Sequence, residues 1–150
     1  MTNEQILAIY WRGDAEVRQR LEDILEHSDR MARLVAKGKK RFLSNEHYRG
    51  SAERSITVIG EAAGKIPAEV RASFHDVDWR TTILDRNLTV HEYGSVVDER
   101  TWATISQAIP AFVESIGLHL IASPASESHR SETGSETGSE TNSETNSDRD

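Results

Sequence analysis

With 150 residues the chain has room for one domain around a single hydrophobic core, not for two. The formal charge is -7; residues 123–150, with seven acids against two arginines, carry -5 of it and leave -2 for the rest, a balance that neither advertises a nucleic-acid footprint nor excludes a local basic patch. The absence of cysteine excludes a disulfide framework, a thiolate nucleophile and a cysteine zinc site, and it fits a reducing compartment.

The first thirteen residues read as a lead-in with one turn around Ile6, Leu7 and Tyr10. The apolar run 6–11 is too short to span a membrane and lacks the basic flank and cleavage site of a secretory signal, so the expectation is a soluble, cytoplasmic protein without membrane contact. From Asp14, an N-cap, Val17, Leu21, Ile24, Leu25, Met31, Leu34 and Val35 recur at spacings of three and four and predict a long amphipathic helix. Glu16 with Arg20, Glu26 with Arg30 and Asp29 with Arg33 are placed to pair on its outer face, and Gly38 to stop it. The cluster Lys37, Lys39, Lys40 and Arg41 follows, either as cations complementing a helix C-terminus in a solvated turn or as a rim that binds phosphate.

A second helix opens after Ser44 or Asn45 and runs through Tyr48, Ile56, Ile59 and Ile66 to stop before Pro67. Its inner face is small: Ser51, Ala52, Ser55, Gly60, Ala62, Ala63 and Gly64 leave room for close approach of another helix. Pro67 is placed at the first position of a short helical turn through Val70 and Phe74. Asp78 is the next N-cap, for a helix led by Trp79, Ile83 and Leu84 and ended by Gly94. Asp98 or its successor opens the last helix, carried by Trp102, Ile105, Ile109, Phe112, Val113 and Ile116, which Pro110 should kink or break. No stretch alternates with a period of two, so the fold class is all-α, an up-and-down bundle of about four main helices. Residues 1–122 form this domain; residues 123–150 are a low-complexity tail rich in Ser, Glu and Thr, expected to be disordered because it has no large apolar residue to bury.

Residues 85–93, DRNLTVHEY, concentrate the chemistry. On a helix Asn87 and His91 pair at i,i+4, Tyr93 lies nearly in line with Arg86, and Arg86 and His91 border one polar face. A guanidinium that forks a phosphate, beside an imidazole that titrates near neutrality, is a kit for breaking a phosphodiester without a metal. The same residues also admit a structural reading, with Arg86 bridging to Asp85 or Glu92, His91 capping a carbonyl and Tyr93 packing in the core. The other histidines show no ligand spacing, so no metal or cofactor is expected. Asp76-Val77-Asp78 is a carboxylate pair of the kind a nucleotidyltransferase uses, but no strand or Gly-Ser loop precedes it.

The order Ile59-Gly60-Glu61-Ala62-Ala63, Trp79-Arg80, Arg86-Asn87-x3-His91-x-Tyr93 and Trp102 resembles the minimal HEPN-domain toxins of the HepT type, over roughly residues 17–116. The resemblance implies a HEPN-like helical bundle that dimerises so that two Arg/His motifs face one cleft. It further implies a metal-independent endoribonuclease, the toxin of a type VII toxin-antitoxin system. His91 would then be general base or acid, Arg86 the phosphate clamp and Asn87 an orienting group. Tyr93 would be the residue to which a nucleotidyltransferase antitoxin of the MNT class transfers AMP, filling the RNA cleft. The alternative within the same resemblance is a non-catalytic helical module, an obligate partner of such a nucleotidyltransferase. A purely structural helical dimer ranks last.

Overall fold

The computed structural model describes residues 1–88 and 95–123, with side chains described outside 84–96. The regular elements of the described residues are all helices, with no strand among them. Helix α1 (Asn3–Tyr10) is two turns rather than one, because Thr2 and Gln5 close a reciprocal capping box. Asp14 caps α2 (Ala15–Val35), its carboxylate accepting from the Glu16 and Val17 amides at 2.7 and 3.3 Å. Gly38 then turns the chain at φ 92°, a conformation that side-chain-bearing residues resist.

Where the sequence suggested only a basic turn, a short helix α3 (Lys39–Ser44) forms. Its stability is tertiary: Phe42 is 0% exposed and its ring lies 5.3 Å from that of Trp102. Asn45 caps α4 (Glu46–Lys65) through the Tyr48 amide. Pro67 stands at the N-cap of α5 (Ala68–Ser73), one place earlier than expected, and α6 spans Trp79–Leu88.

The last helix begins earlier than expected. Helix α7 (Ser95–Ala103) already includes Asp98, whose carboxylate is not a cap but holds Arg49 of α4 at 3.4 Å. Nor does Pro110 break the chain: a π-helical turn over Thr104–Ala108 leads straight into α8 (Ile109–Ala122). Proline lacks the N–H that would bond the Ser106 carbonyl, and the wider turn, closed by the Ile109 amide on the Thr104 carbonyl, absorbs the mismatch. Over Val97–Ala122 the helix is long and apolar enough to cross a membrane, but Ile105, Ile109, Phe112, Val113, Ile116 and Leu120 are buried in the core.

Helices α2 and α4 pack along their lengths, α6 lies on α4, and α8 closes the bundle against α1 and α2. Leu21, Ile24 and Met31 of α2 share one apolar cluster with Ile56 and Ile59 of α4. On the small face of α4, Ala52, Ser55, Gly60, Ala62 and Ala63 are buried as expected, whereas Ser51 and Gly64 are exposed and no neighbour lies within 4 Å of a Cβ built on Gly64. Of the three ion pairs expected along α2 only Glu26 with Arg30 closes, at 2.6 Å; Arg18 with Glu22 forms in addition. The Gly94 stop and the tail beyond Ser123 lie outside the described residues.

Two histidines are part of the packing. His27 Nδ1 meets Ser55 Oγ at 3.1 Å, tying α2 to α4. His119 stacks on Phe74 with ring centroids 4.3 Å apart. Burial, reinforced by the Arg30 charge, holds the His27 pKa below its usual value; burial and the neighbouring His75 do the same to His119. The folded chain therefore takes up these protons at lower pH than the unfolded chain does. Their stabilising contribution is complete above the ordinary histidine pKa and is lost as pH falls through the lowered folded values. Tm should accordingly fall as the pH drops below the ordinary histidine value of about 6.5, and a His27→Gln/His119→Gln variant should lose most of that slope in thermal melts followed by circular dichroism. Gly64→Ala, free of any clash, should raise stability by about 1 kcal/mol and Tm by several degrees.

Candidate functional site

Helix α6 carries the first half of the Arg86-Asn87-x3-His91-x-Tyr93 motif, and its start is fixed by chemistry on both sides of the backbone. Asp78 caps it, accepting from the Thr81 amide at 3.1 Å, while the Thr82 hydroxyl donates to the Asp78 carbonyl at 3.2 Å. Hydrogen bonds from Thr81 hold the Asp78 carboxyl below the usual carboxylate range. Of the two carboxylates in Asp76-Val77-Asp78, that of Asp78 is thus engaged as the helix cap.

The deeper anchor is Trp79, 7% exposed, whose ring stands edge-on to Phe74 and Phe112 at centroid distances of 5.6 and 5.4 Å. Its indole Nε1 is buried without a partner among the described residues. Nothing in the sequence distinguishes such an orphaned donor from an ordinary core tryptophan. Thr82 is buried below it, and Ile83 packs against the core. Arg86 follows Trp79 by seven residues, about 10 Å along the axis of a helix seated at its base and flanked by α4.

Chain enters α7 on the other side of the motif. Here Arg49 with Asp98 and Lys39 with Glu99 at 2.8 Å tie its first turns to α4 and α3, and the Trp102 ring packs tilted against that of Phe42. The two helices flanking the motif are thus each seated by a tryptophan. The structure brings Arg86 and Asn87 onto one helix; their side chains, together with His91 and Tyr93, lie outside what is described.

Elsewhere the chemistry is sparse. Among the described residues no group of three or more His, Asp or Glu side chains is arranged to hold a metal. A groove of about 330 Å³ between α1, α2 and α8 is floored by Ile6, Ile105, Ile109 and Val113, and no residue of α6 lines it. Among the contacts that sequence reasoning missed are the His27–Ser55 link and the aromatic setting of His119, both between residues far apart in the chain with no local signature.

Comparison with known proteins gives a family. The family model described as ribonuclease HepT-like matches residues 24–117, a span that contains Arg86, Asn87, His91 and Tyr93. The Methanocaldococcus jannaschii protein named "Putative RNase MJ1216" is 27% identical over 96 residues, covering 63% of this chain and 79% of its own length. "Putative RNase TTE0752" of Caldanaerobacter subterraneus is 37% identical over 57 residues, 38% of this chain and 51% of that protein. "Probable ribonuclease HepT" of Thermococcus cleftensis is 27% identical over 70 residues, 47% and 64% of the two chains. No solved structure matches significantly. With a family match over more than half its length, on an all-α bundle whose sixth helix carries the Arg-Asn half of the motif, the chain belongs to the HepT-like ribonuclease family.

Proposed function

We propose that the protein is the toxin of a type VII toxin-antitoxin pair, a metal-independent endoribonuclease that works as a homodimer. The observation that carries this reading is the family match across residues 24–117 with the motif Arg86-Asn87-x3-His91-x-Tyr93 intact within it. RNA brings its own nucleophile, so such an enzyme needs only a proton acceptor, a proton donor and a charge clamp. The 2′-oxygen forms a bond to phosphorus as its proton passes to His91, and the bond to the 5′-oxygen breaks as that oxygen gains a proton. The products are a 2′,3′-cyclic phosphate and a 5′-hydroxyl. Arg86 holds the phosphate and its developing charge in a bidentate fork, and Asn87 orients the group beside it.

One imidazole per chain supplies a base without a separate acid. Two chains across a two-fold axis supply both, which is the reason for reading the active form as a dimer. Tyr93 is then the regulatory position: AMP transferred to its hydroxyl by an MNT-type nucleotidyltransferase sets a phosphate beside Arg86, where the phosphate of RNA belongs.

Purified unmodified protein should cleave total RNA in the presence of EDTA and leave cyclic phosphate ends, with His91→Ala and Arg86→Ala each lowering the rate at least a hundredfold, in line with the roughly 10²–10⁴ that general acid–base groups contribute. A dimeric, adduct-free preparation that leaves RNA intact would point instead to a non-catalytic partner of the nucleotidyltransferase. Incubation with that partner and ATP should add mass in multiples of AMP to the wild type but not to Tyr93→Phe, as read by intact-protein mass spectrometry; adducts on both proteins would remove Tyr93 from the scheme.

A further inference from the structure

The cations of Lys37, Lys39, Lys40 and Arg41 fall within five residues, and all four side chains are exposed. Helix α3 is not a loose turn that happens to be basic. Phe42 is fully buried against Trp102, and Arg49 donates to the Leu43 carbonyl at 2.6 Å, so the basic edge is presented on a fixed support.

Little of this charge is answered within the chain. Lys37 follows directly on the end of α2, where the helix dipole favours it, and its Nζ lies 5.5 Å from the centre of the Tyr48 ring. Lys39 pairs with Glu99, but both side chains are about half exposed, at 50 and 55%, and a surface pair of this kind exchanges readily for another anion. Lys40 and Arg41 have no carboxylate within ion-pair distance among the described residues. Like charges on one helical turn repel. In a chain of formal charge -7, attraction of a polyanion depends on such local concentration.

Position narrows the partner. The turn of α7 that holds Lys39 and Arg49, through Glu99 and Asp98, belongs to a helix whose first residue, Ser95, comes two residues after Tyr93. Among the described residues this surface also lacks the apolar anchors on which protein interfaces rely: the exposed large hydrophobic residues Met1, Ile9, Leu118 and Ile121 lie in or beside α1 and α8. A phosphate backbone needs no such anchor.

We propose that the edge formed by Lys37, Lys39, Lys40 and Arg41 is a docking surface for the phosphate backbone of the RNA substrate, independent of base sequence and separate from the groups that cut. This rests on the ribonuclease reading above, and the test separates the two.

The probe is a short fluorescein-labelled oligouridylate, titrated against full-length protein carrying His91→Ala so that it is bound and not cut. Lys40→Glu/Arg41→Glu should weaken binding about tenfold or more at moderate salt, and the neutral pair Lys40→Gln/Arg41→Gln should lower the slope of log affinity against log salt by about 1.4, two contacts at about 0.7 each. Tm should stay unchanged, since both side chains are exposed. Arg12→Glu, before the opposite end of α2, should leave binding as it was. With His91 restored, the reversed pair should raise KM for RNA cleavage and leave kcat unaltered. Cleavage by the wild type, with affinity, salt slope and KM unmoved in the variants, would overturn the docking surface and leave the ribonuclease standing. A wild type that neither binds nor cuts RNA would overturn both. Competition by poly-glutamate of equal charge as effective as that by RNA would give the surface to an acidic protein and likewise overturn the proposal.

Discussion

The edge-on packing of Trp79 between Phe74 and Phe112 ties the start of α6 to α8 and to the end of α5, and the helix that carries the Arg86-Asn87 half of the motif starts there. A helix of ten residues has little stability of its own in water, because nucleation is unfavourable and few hydrogen bonds repay it. What holds α6 is the burial of its first residue, the capping by Asp78 and the packing of Ile83. Removing the Trp79 ring would open a large cavity and free the base of the helix together, so a loss of activity from that change would not mean a role in chemistry.

The seating of α7 differs in kind. It combines one aromatic contact, Trp102 with Phe42, and two ion pairs that reach across to α3 and α4. The Arg49–Asp98 pair is the better shielded, with side chains 26 and 29% exposed, and Arg49 also donates to the Leu43 carbonyl. One guanidinium thereby closes the end of α3 and the start of α7 at once. The motif segment is bounded by one helix held through hydrophobic burial and another held partly through charge. The second is the more sensitive to salt.

Legibility in the sequence followed the range of the interaction that decides each feature. The long helices α2 and α4 were readable because their apolar residues repeat at three and four, and Asp14, Asn45 and Asp78 were readable as caps because a cap bonds to amides two or three residues away. Helix α3 was not, since six residues are too few to show a period and its existence turns on Phe42 meeting a tryptophan sixty residues later. The start of α7 was misplaced for a related reason: Asp98 has the composition of a cap, but its carboxylate is taken by Arg49. Pro110 carries a strong local rule, and the π turn before it satisfies that rule without a break, through Ser106 and Thr104 hydroxyls that bond back to the Trp102 and Arg100 carbonyls. For the candidate site, the placement of Arg86 and Asn87 on a helix followed from spacing, whereas the tryptophan anchors on either side emerged only with the tertiary structure.

Electrostatics sets the remaining constraint. An acidic protein gains no attraction for a polyanion from its net charge, and exposed charges further apart than a Debye length, about 8 Å at physiological ionic strength, are largely screened from one another. Recognition must then come from charge that is dense, close and held in place, because a diffuse excess of lysine is not available to it. On the proposed reading the bundle would supply such charge by fixing short elements with single buried aromatic residues: Trp79 seats the helix that carries Arg86, and Phe42 seats the helix that carries Lys40 and Arg41. The same economy explains why four cations remain on a six-residue helix and the residue before its cap, with one carboxylate pairing among them. Their mutual repulsion is tolerated by a support whose stability comes from Phe42 and not from the helix itself.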